Sequence, residues 1–148
     1  MAADEPGELN LALLCFIAYR AMETRVLADL AAAGFGDVTA AQGRVFARVD
    51  PDGTRITDLA ERAQVTKQTA GFLVDQLERA GYVRRVPDPR DARARLVRIA
   101  ERGLAAVAVA RQTEAAVEAE WTRHLGRAAA AQLRHALTRL REITDPYG

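Results

Sequence analysis

Residues 59–77 read LAERAQVTKQTAGFLVDQL, and this stretch carries the clearest structural signal in the chain. It predicts two helices separated by a short connection around Gln64 and Val65, with Thr66 as the N-cap of the second helix. Two short helices joined by a tight connection of about three residues form a helix-turn-helix unit. The helical period predicts that one face of the second helix is buried, namely Ala70, Leu73, Val74, Leu77 and Ala80.

The opposite face of the second helix has the composition of a DNA-reading surface. Lys67 and Gln68 lie near its N-terminus, where a recognition helix contacts base edges in the major groove. Gly71 costs about 1 kcal/mol relative to alanine in a helix interior. Close approach to DNA would offset that cost, and tight packing against another helix is the alternative. Phe72 would touch a thymine methyl group or pack against the following hairpin. The predicted contact residues on this helix are Thr66, Lys67, Gln68, Thr69, Gly71 and Phe72.

A basic β-hairpin is predicted directly after this helix. Residues 82–86 and 95–99 are β-prone runs, and residues 87–94 form a loop between them. From residue 84 to residue 98 the chain has six arginines and two aspartates. Such a loop suits the minor groove, whose negative potential attracts arginine, whereas a merely solvated loop is the alternative. The predicted contacts are Arg90, Asp91, Arg93 and Arg95, with Asp91 orienting the Arg93 guanidinium through a salt bridge.

Long helices are predicted on both sides of this unit, over residues 8–33, 101–125 and 127–143. Their apolar stripes are longer than a small winged unit alone could cover, so a second partner is expected. Gly34 and Gly126 end the first and second of these helices.

Between the first long helix and residue 59, local signals predict two further short elements. Thr39 and Gln42 match a capping box that begins a helix reaching about Val49. A very short strand is predicted at residues 55–56, and the next helix is capped by Thr57 or Asp58.

Composition and charge exclude several classes of protein. The chain has 148 residues, of which 49% are apolar, so global disorder is excluded. Residues 1–41 hold two arginines against six acidic residues, whereas residues 42–100 hold twelve basic residues against eight acidic ones. This basic middle segment suggests an anionic partner. The single cysteine, Cys15, excludes an intrachain disulfide framework and fits a reducing compartment. The longest apolar run, residues 11–18, is too short to span a bilayer and is preceded by acidic residues, so a cytoplasmic location without a membrane partner is expected.

Three stretches resemble the MarR family of bacterial transcriptional regulators. They are the helix-turn-helix quoted above, LERAGYVRR at residues 77–85 and PDPRDARAR at residues 87–95. The resemblance extends from the first predicted helix to the last. Family members typically carry Asp-Arg-Arg in the wing, where this chain has Asp91-Ala92-Arg93, and a threonine at the cap after the wing, where it has Ala100.

The resemblance implies a mainly α fold with a small β-hairpin wing. A winged helix-turn-helix domain would occupy residues 35–100, and a helical dimerisation region would comprise residues 1–34 and 101–148. The implied state is an obligate homodimer whose two winged domains bind successive major grooves of a pseudo-palindromic operator, with half-sites about 34 Å apart.

The resemblance also implies regulation by a ligand. Repression is the commoner behaviour of the family, and release from DNA by a small aromatic or phenolic effector is typical. The usual pocket lies between the dimerisation helices and the winged domain. By position, its candidate lining residues are Phe16, Tyr19, Arg20 and Phe46, each of which is also a plausible core residue.

Two alternative functions remain open from the sequence. Residues 14–19 resemble the start of a hydroperoxide-sensing branch of the family, in which Cys15 would be oxidised and Tyr19 could hydrogen-bond to its thiolate. That branch places further tyrosines around its cysteine, whereas this chain has none between Tyr19 and Tyr82. The second alternative is a winged-helix protein-interaction module without DNA binding, which should lack a basic wing.

The sequence does not favour an enzyme. His124 and His135 are predicted to lie alone on helices, without metal-ligand spacing or a nearby carboxylate pattern. No glycine-rich phosphate loop is present, and Cys15 has no histidine close to it in sequence. No catalytic residue, metal or cofactor is therefore expected.

Overall fold

The computed structural model describes residues 7–145, so the ends of the predicted dimerisation region, residues 1–6 and 146–148, lie outside the described residues. The predicted mainly α fold with a β-hairpin wing is confirmed. The elements, in chain order, are α1 (Leu11–Ala32), α2 (Ala40–Phe46), α3 (Ile56–Arg62), α4 (Lys67–Arg79), β1 (Val83–Asp88), β2 (Asp91–Ile99), α5 (Glu101–Leu125) and α6 (Arg127–Thr144).

Helix α1 begins and ends at local signals. The Asn10 side chain accepts a hydrogen bond from the Leu13 N–H at 2.8 Å, so the helix begins at Leu11 rather than at residue 8. At its other end Gly34 has a φ of +97°, and the Phe35 N–H donates to the Leu30 carbonyl at 2.8 Å. This left-handed glycine closes the helix in a Schellman motif.

The hydrophobic core lies among α2, α3, α4 and the hairpin, and Leu30 of α1 and Ala106 of α5 pack into it. The predicted buried face of α4 is confirmed, with Ala70, Leu73, Val74 and Leu77 buried and Ala80 half-buried. Side chains that are almost completely buried come from every element of this unit: Val45, Leu59, Val74, Leu77, Tyr82, Val83 and Val97.

The capping box predicted for α2 is present, since Thr39 and Gln42 exchange both hydrogen bonds at 3.2 Å. The predictions for the next segment were wrong. Arg55 is the N-cap of α3 and makes no side-chain capping bond, so Thr57 and Asp58 lie inside the helix. The short strand contact falls one residue earlier, at Thr54, whose N–H and carbonyl pair with Val97 at 2.9 and 2.8 Å.

The hairpin is more regular than predicted. Residues 87–94 were expected to form a loop, but β1 continues to Asp88, β2 begins at Asp91, and the turn consists of Pro89 and Arg90. The register shifts between Pro87, which lies opposite Arg95, and Asp88, which lies opposite Asp91. Prolines and arginines gave no β signal here, because the pairing depends on the turn rather than on strand propensity.

The last two helices confirm the predicted break at Gly126, which has a φ of +87°. Helix α5 packs along α1, where the Thr113 hydroxyl donates to Asp29 at 2.7 Å and Arg25 pairs with Glu120 at 3.0 Å. Helix α6 buries no residue among those described. Leu9, two residues before α1, and large apolar side chains of α1, α5 and α6 are exposed. Those of the helices are Leu11, Leu13, Leu14, Phe16, Ile17, Leu104, Leu125, Leu133, Leu137, Leu140 and Ile143.

Candidate nucleic-acid interface

A left-handed turn sets the angle between α3 and α4. Gln64 has a φ of +58°, an uncommon conformation for a residue with a side chain. The Val65 N–H donates to the Ala60 carbonyl at 2.9 Å and the Gln64 N–H to the Glu61 carbonyl at 3.2 Å, which is the Schellman pattern. The Gln64 side-chain amide also donates to the Glu61 carbonyl at 2.9 Å. The connection between the two helices is therefore fixed by its own hydrogen bonds.

The N-terminus of α4 is exposed and well capped. The Thr66 hydroxyl accepts a hydrogen bond from the Thr69 N–H at 3.1 Å and donates to the Thr69 hydroxyl at 2.9 Å. Lys67 and Gln68 are exposed beside this cap, and both side chains are long enough to reach a groove. Because the helix N-terminus carries partial positive charge, this end of α4 suits an anionic surface.

The next turn of α4 distinguishes between the alternatives predicted for Gly71 and Phe72. A Cβ built on Gly71 meets no atom within 4 Å, so contacts within the described chain do not require glycine there. Tight packing against another helix of the same chain is thus excluded as the reason for Gly71. The Phe72 side chain is 58% exposed and does not bury itself against the hairpin.

Arg85 joins the hairpin to the second half of α4. Its guanidinium forms ion pairs with Asp75 and Glu78, both at 2.7 Å. The Glu78 carboxylate also accepts the Arg85 N–H at 3.0 Å. The hairpin is therefore braced against α4, and the positive charge of Arg85 is neutralised within the chain.

The tip of the wing is held by Asp88, a residue that sequence reasoning missed. Its buried carboxylate accepts the Arg90 N–H at 2.9 Å and two bonds from Arg55 at 3.0 and 2.7 Å. These bonds, first from Arg90 and then from Arg55, hold the pKa of the Asp88 carboxyl below its usual range. Arg55 lies 33 residues earlier in the chain, so no local pattern could have revealed the pairing.

Asp91 does not orient the Arg93 guanidinium as predicted. Its carboxylate accepts the Arg93 backbone N–H at 3.0 Å, and its other oxygen lies 3.9 Å from the Arg55 guanidinium. Five of the six wing arginines make no ion pair with any residue in the range 7–145. They are exposed and free to meet phosphates: Arg84, Arg90, Arg93, Arg95 and Arg98.

The residues predicted to line a ligand pocket fall into two places. Tyr19 and Arg20 both bond to Glu23, the tyrosine hydroxyl donating at 2.7 Å, and Arg44 of α2 binds the same carboxylate at 2.9 and 3.0 Å. The hydrogen bonds from Arg44 are the largest cause that lowers the pKa of Glu23 to about 2. The Arg44 guanidinium lies 5.8 Å from the centre of the Tyr19 ring.

The other two predicted pocket residues, Phe16 and Phe46, do not belong to this cluster, and they differ from each other in exposure. Phe16 is 56% exposed on α1, whereas Phe46 is partly buried and packs against the core. Two surface depressions contain none of the four predicted side chains. One is lined by Ala60, Glu61, Gln64, Val65 and Thr66, and the other by residues 47–50 with Arg62 and Arg141.

Cys15 is exposed on α1. The hydroxyl of Tyr19, one turn later, donates to Glu23 rather than to the thiol. His124 and His135 are exposed as well. Within residues 7–145, no group of three or more metal-ligating side chains is suitably arranged, and no helix is long and apolar enough to cross a bilayer.

A second cluster missed from the sequence joins the end of α4 to the start of α5. The Arg102 guanidinium donates to the Ala80 carbonyl at 2.6 Å and to Asp37 at 3.1 and 3.2 Å, and lies 4.3 Å from the centre of the Tyr82 ring. The Tyr82 hydroxyl donates to Asp37, and this bond is the largest cause that lowers the pKa of Asp37. Burial, supplemented by Asp37, raises the pKa of Tyr82 to about 12.

Comparison with known proteins confirms the resemblance to the MarR family that the sequence showed. Residues 37–94, which contain α2, α3, α4 and most of the hairpin, match the model of the MarR family. A search of curated protein sequences gives no match.

Solved structures match over almost the whole chain. The transcriptional regulator PA4135 is 25% identical with a TM-score of 0.71, over 92% of this chain and 98% of that one. Two further structures show the same fold, each over 91% of this chain and 98% of their own. They are apo MarR from E. coli, at 23% identity and a TM-score of 0.68, and a DNA complex of S. aureus MepR, at 22% and 0.69.

Proposed function

We propose that this chain, whose residues 37–94 match the MarR family model, is a transcriptional regulator that binds double-stranded DNA as a homodimer. One observation carries the proposal. The exposed end of α4 and the wing present unpaired cations on the same unit, while Arg85 and Arg55 are neutralised by internal carboxylates. The proposed contact residues are those predicted from the sequence: Thr66, Lys67, Gln68, Thr69, Gly71, Phe72, Arg90, Asp91, Arg93 and Arg95.

The two sets of residues would play different parts on DNA. Lys67 and Gln68 at the N-terminus of α4 would meet base edges in the major groove, where glutamine reads adenine and lysine reads guanine. The exposed arginines of the wing would contact phosphates or enter the minor groove. A protein of this kind works on DNA in the bacterial cytoplasm, which is the location we propose.

The homodimer follows from the exposed apolar faces of α1, α5 and α6. Contiguous apolar surface of this extent marks an interaction site, because monomeric proteins rarely leave it in water. We propose that residues 1–34 and 101–148 form the dimerisation region and residues 35–100 the winged domain. Two-fold symmetry would then place two α4 helices about 34 Å apart, one turn of DNA.

Repression that is released by a small aromatic or phenolic effector is the regulation we propose. The cluster of Tyr19, Arg20, Glu23 and Arg44 ties α1 to α2, so a phenolate or carboxylate that competes for Arg44 would disturb the junction of the two regions. Phe16 and Phe46 would supply apolar contacts for the ring. The hydroperoxide-sensing alternative is favoured by one observation, the exposure of Cys15 on α1.

The proposal is tested by selecting binding sites from a random duplex library and measuring affinity by fluorescence anisotropy at two salt concentrations. We expect a pseudo-palindromic site whose binding weakens steeply with salt, because phosphate contacts release counterions. Gln68→Ala should relax base preference, whereas Arg93→Ala should weaken binding to all sequences and reduce the salt slope by about two, one for each subunit of the dimer. Arg111→Ala, an exposed arginine on α5, is the matched control and should bind like the wild type.

Two further arms separate the alternatives. Recovery of no sequence from the library would contradict the DNA-binding proposal and favour a protein-interaction module. Loss of binding on treatment with an organic hydroperoxide, abolished in Cys15→Ser, would assign regulation to the cysteine instead of an effector.

A further inference from the structure

Phe72 differs from every other exposed large apolar side chain in the described part of the chain. All of the others lie on α1, α5 or α6 or at Leu9 just before α1, on the helices that a second copy of the chain would cover. Between residues 33 and 103, Phe72 alone is such a side chain, and it is 58% exposed. Dimerisation therefore gives no reason for its exposure.

The position of Phe72 on α4 relates it to the residues proposed to meet bases. Gln68 precedes it by four residues and is therefore its neighbour on the same helix face. Gly71 presents no side chain beside it, and the space around the missing Cβ is open for 4 Å. Asp75, three residues later, would repel DNA, but its carboxylate is 2.7 Å from the Arg85 guanidinium, which it shares with Glu78, so its charge is compensated in part.

On binding DNA, an exposed phenyl ring on this face would gain from an apolar partner in a groove whose edges are otherwise polar. In the major groove the one apolar group that base pairs display is the C5 methyl of thymine. The missing side chain at Gly71 would allow the helix backbone to come closer to the bases and so bring the Phe72 ring nearer to that methyl group.

We propose that Phe72 determines specificity by packing on the C5 methyl group of one thymine in each half-site, next to the base read by Gln68. This inference rests on the proposed DNA-binding function and specifies the base that the α4 surface selects. Each half-site should thus contain one thymine at which removal of the methyl group alone lowers the affinity of the protein.

The test replaces each thymine of the selected site, one at a time, by deoxyuracil, which removes the methyl group and keeps the hydrogen-bonding edge. Wild-type protein should lose about fourfold in affinity at one thymine per half-site, the value expected for burial of one methyl group. Phe72→Ala should bind the site more weakly but show no difference between thymine and uracil at that position. Phe72→Leu should retain a smaller difference, because leucine still offers an apolar surface.

The outcomes distinguish failure of the Phe72 proposal from failure of the proposed function. Equal affinity of the wild type for all uracil-substituted sites, or an undiminished thymine preference in Phe72→Ala, would overturn the role of Phe72 while leaving DNA binding intact. Failure to select any site would overturn the proposed function and this inference together. Because Phe72 lies outside the core, circular dichroism should show the variants fully folded.

Discussion

The winged unit and the flanking helices differ in how much of its apolar surface each buries within the chain. The winged unit buries its largest apolar side chains almost completely, including Leu59, Val74 and Val97. Helix α1, with 22 residues, buries Leu30, and α6 buries none of its residues among those described. At about 25 cal/mol per Å² of apolar surface, the second arrangement leaves substantial stabilisation to be gained from a partner. One chain thus contains a region that buries its large apolar side chains and another that leaves many of them exposed.

The largest effect is expected from a charge placed on the apolar stripe of α6. Leu137→Arg should abolish the homodimer at micromolar concentration, because an uncompensated charge in an interface costs about 3–5 kcal/mol. Sedimentation equilibrium measures the change, and His135→Arg, on the opposite face of α6, is the matched control. An unchanged dimer in Leu137→Arg would mean that this stripe is not the interface.

Two glycines, Gly103 and Gly71, test how closely the winged unit packs against the flanking helices. A Cβ at Gly103 of α5 would lie 2.2 Å from the Tyr82 carbonyl oxygen and 2.8 Å from Ile99 Cγ2. Gly103→Ala should therefore lower the free energy of unfolding by about 1–3 kcal/mol, as overpacking does.

Gly71→Ala is its control, since the same change meets no atom within 4 Å. Alanine favours the helix, so this variant should gain up to about 1 kcal/mol in urea unfolding. If both substitutions destabilised to the same degree, close packing at Gly103 would not be the explanation.

Acid should weaken the link between α1 and α2. Glu23 has a pKa of about 2, below its ordinary value of 4.5, so its ion pairs stabilise the fold fully above pH 4.5 and are lost as the pH falls toward 2. Glu23→Gln should lower the free energy of unfolding by roughly 2 kcal/mol at pH 7, and the difference from wild type should vanish near pH 2. Urea unfolding across this range measures it, and a difference that stays constant with pH would contradict the assignment.

A smaller decrease in the free energy of unfolding is expected from replacement of Arg102, which joins α5 to the end of α4. Arg102→Gln should cost about 1 kcal/mol, because the guanidinium bonds to Ala80 and Asp37 are partly solvated. The side chain is 38% exposed, which limits the effect. Arg111→Gln on the same helix is the control, and thermal unfolding of both variants should separate them by a few degrees.

The features of the fold that the sequence predicted correctly are those that depend on residues close together in the chain. Helix α5 has the predicted bounds, and the Thr39–Gln42 capping box and the buried face of α4 are present, because each depends on residues within one or two turns. The bridge from Thr54 to Val97 and the length of the wing strands could not be predicted in this way. They depend on pairing between segments distant in sequence.

In the candidate site, too, local features were predicted and contacts between distant residues were not. The helical period correctly placed Lys67, Gln68 and Phe72 on an exposed face of α4. The braces that position this surface were missed: Arg55 on Asp88, and Arg102 on Asp37 across 65 residues. Charged side chains in such pairs look like ordinary solvated residues in the sequence, and their partners emerge when the chain is folded.

The brace at Asp88 affects the entropy of recognition. Ordering a backbone residue costs about 1–2 kcal/mol, so a floppy wing would give up much of its contact energy on reaching DNA. Here the turn at Pro89 and Arg90 is already fixed by the Asp88 carboxylate, which Arg55 holds from the other side. A wing preorganised in this way would retain more of the free energy of each proposed arginine–phosphate contact as affinity.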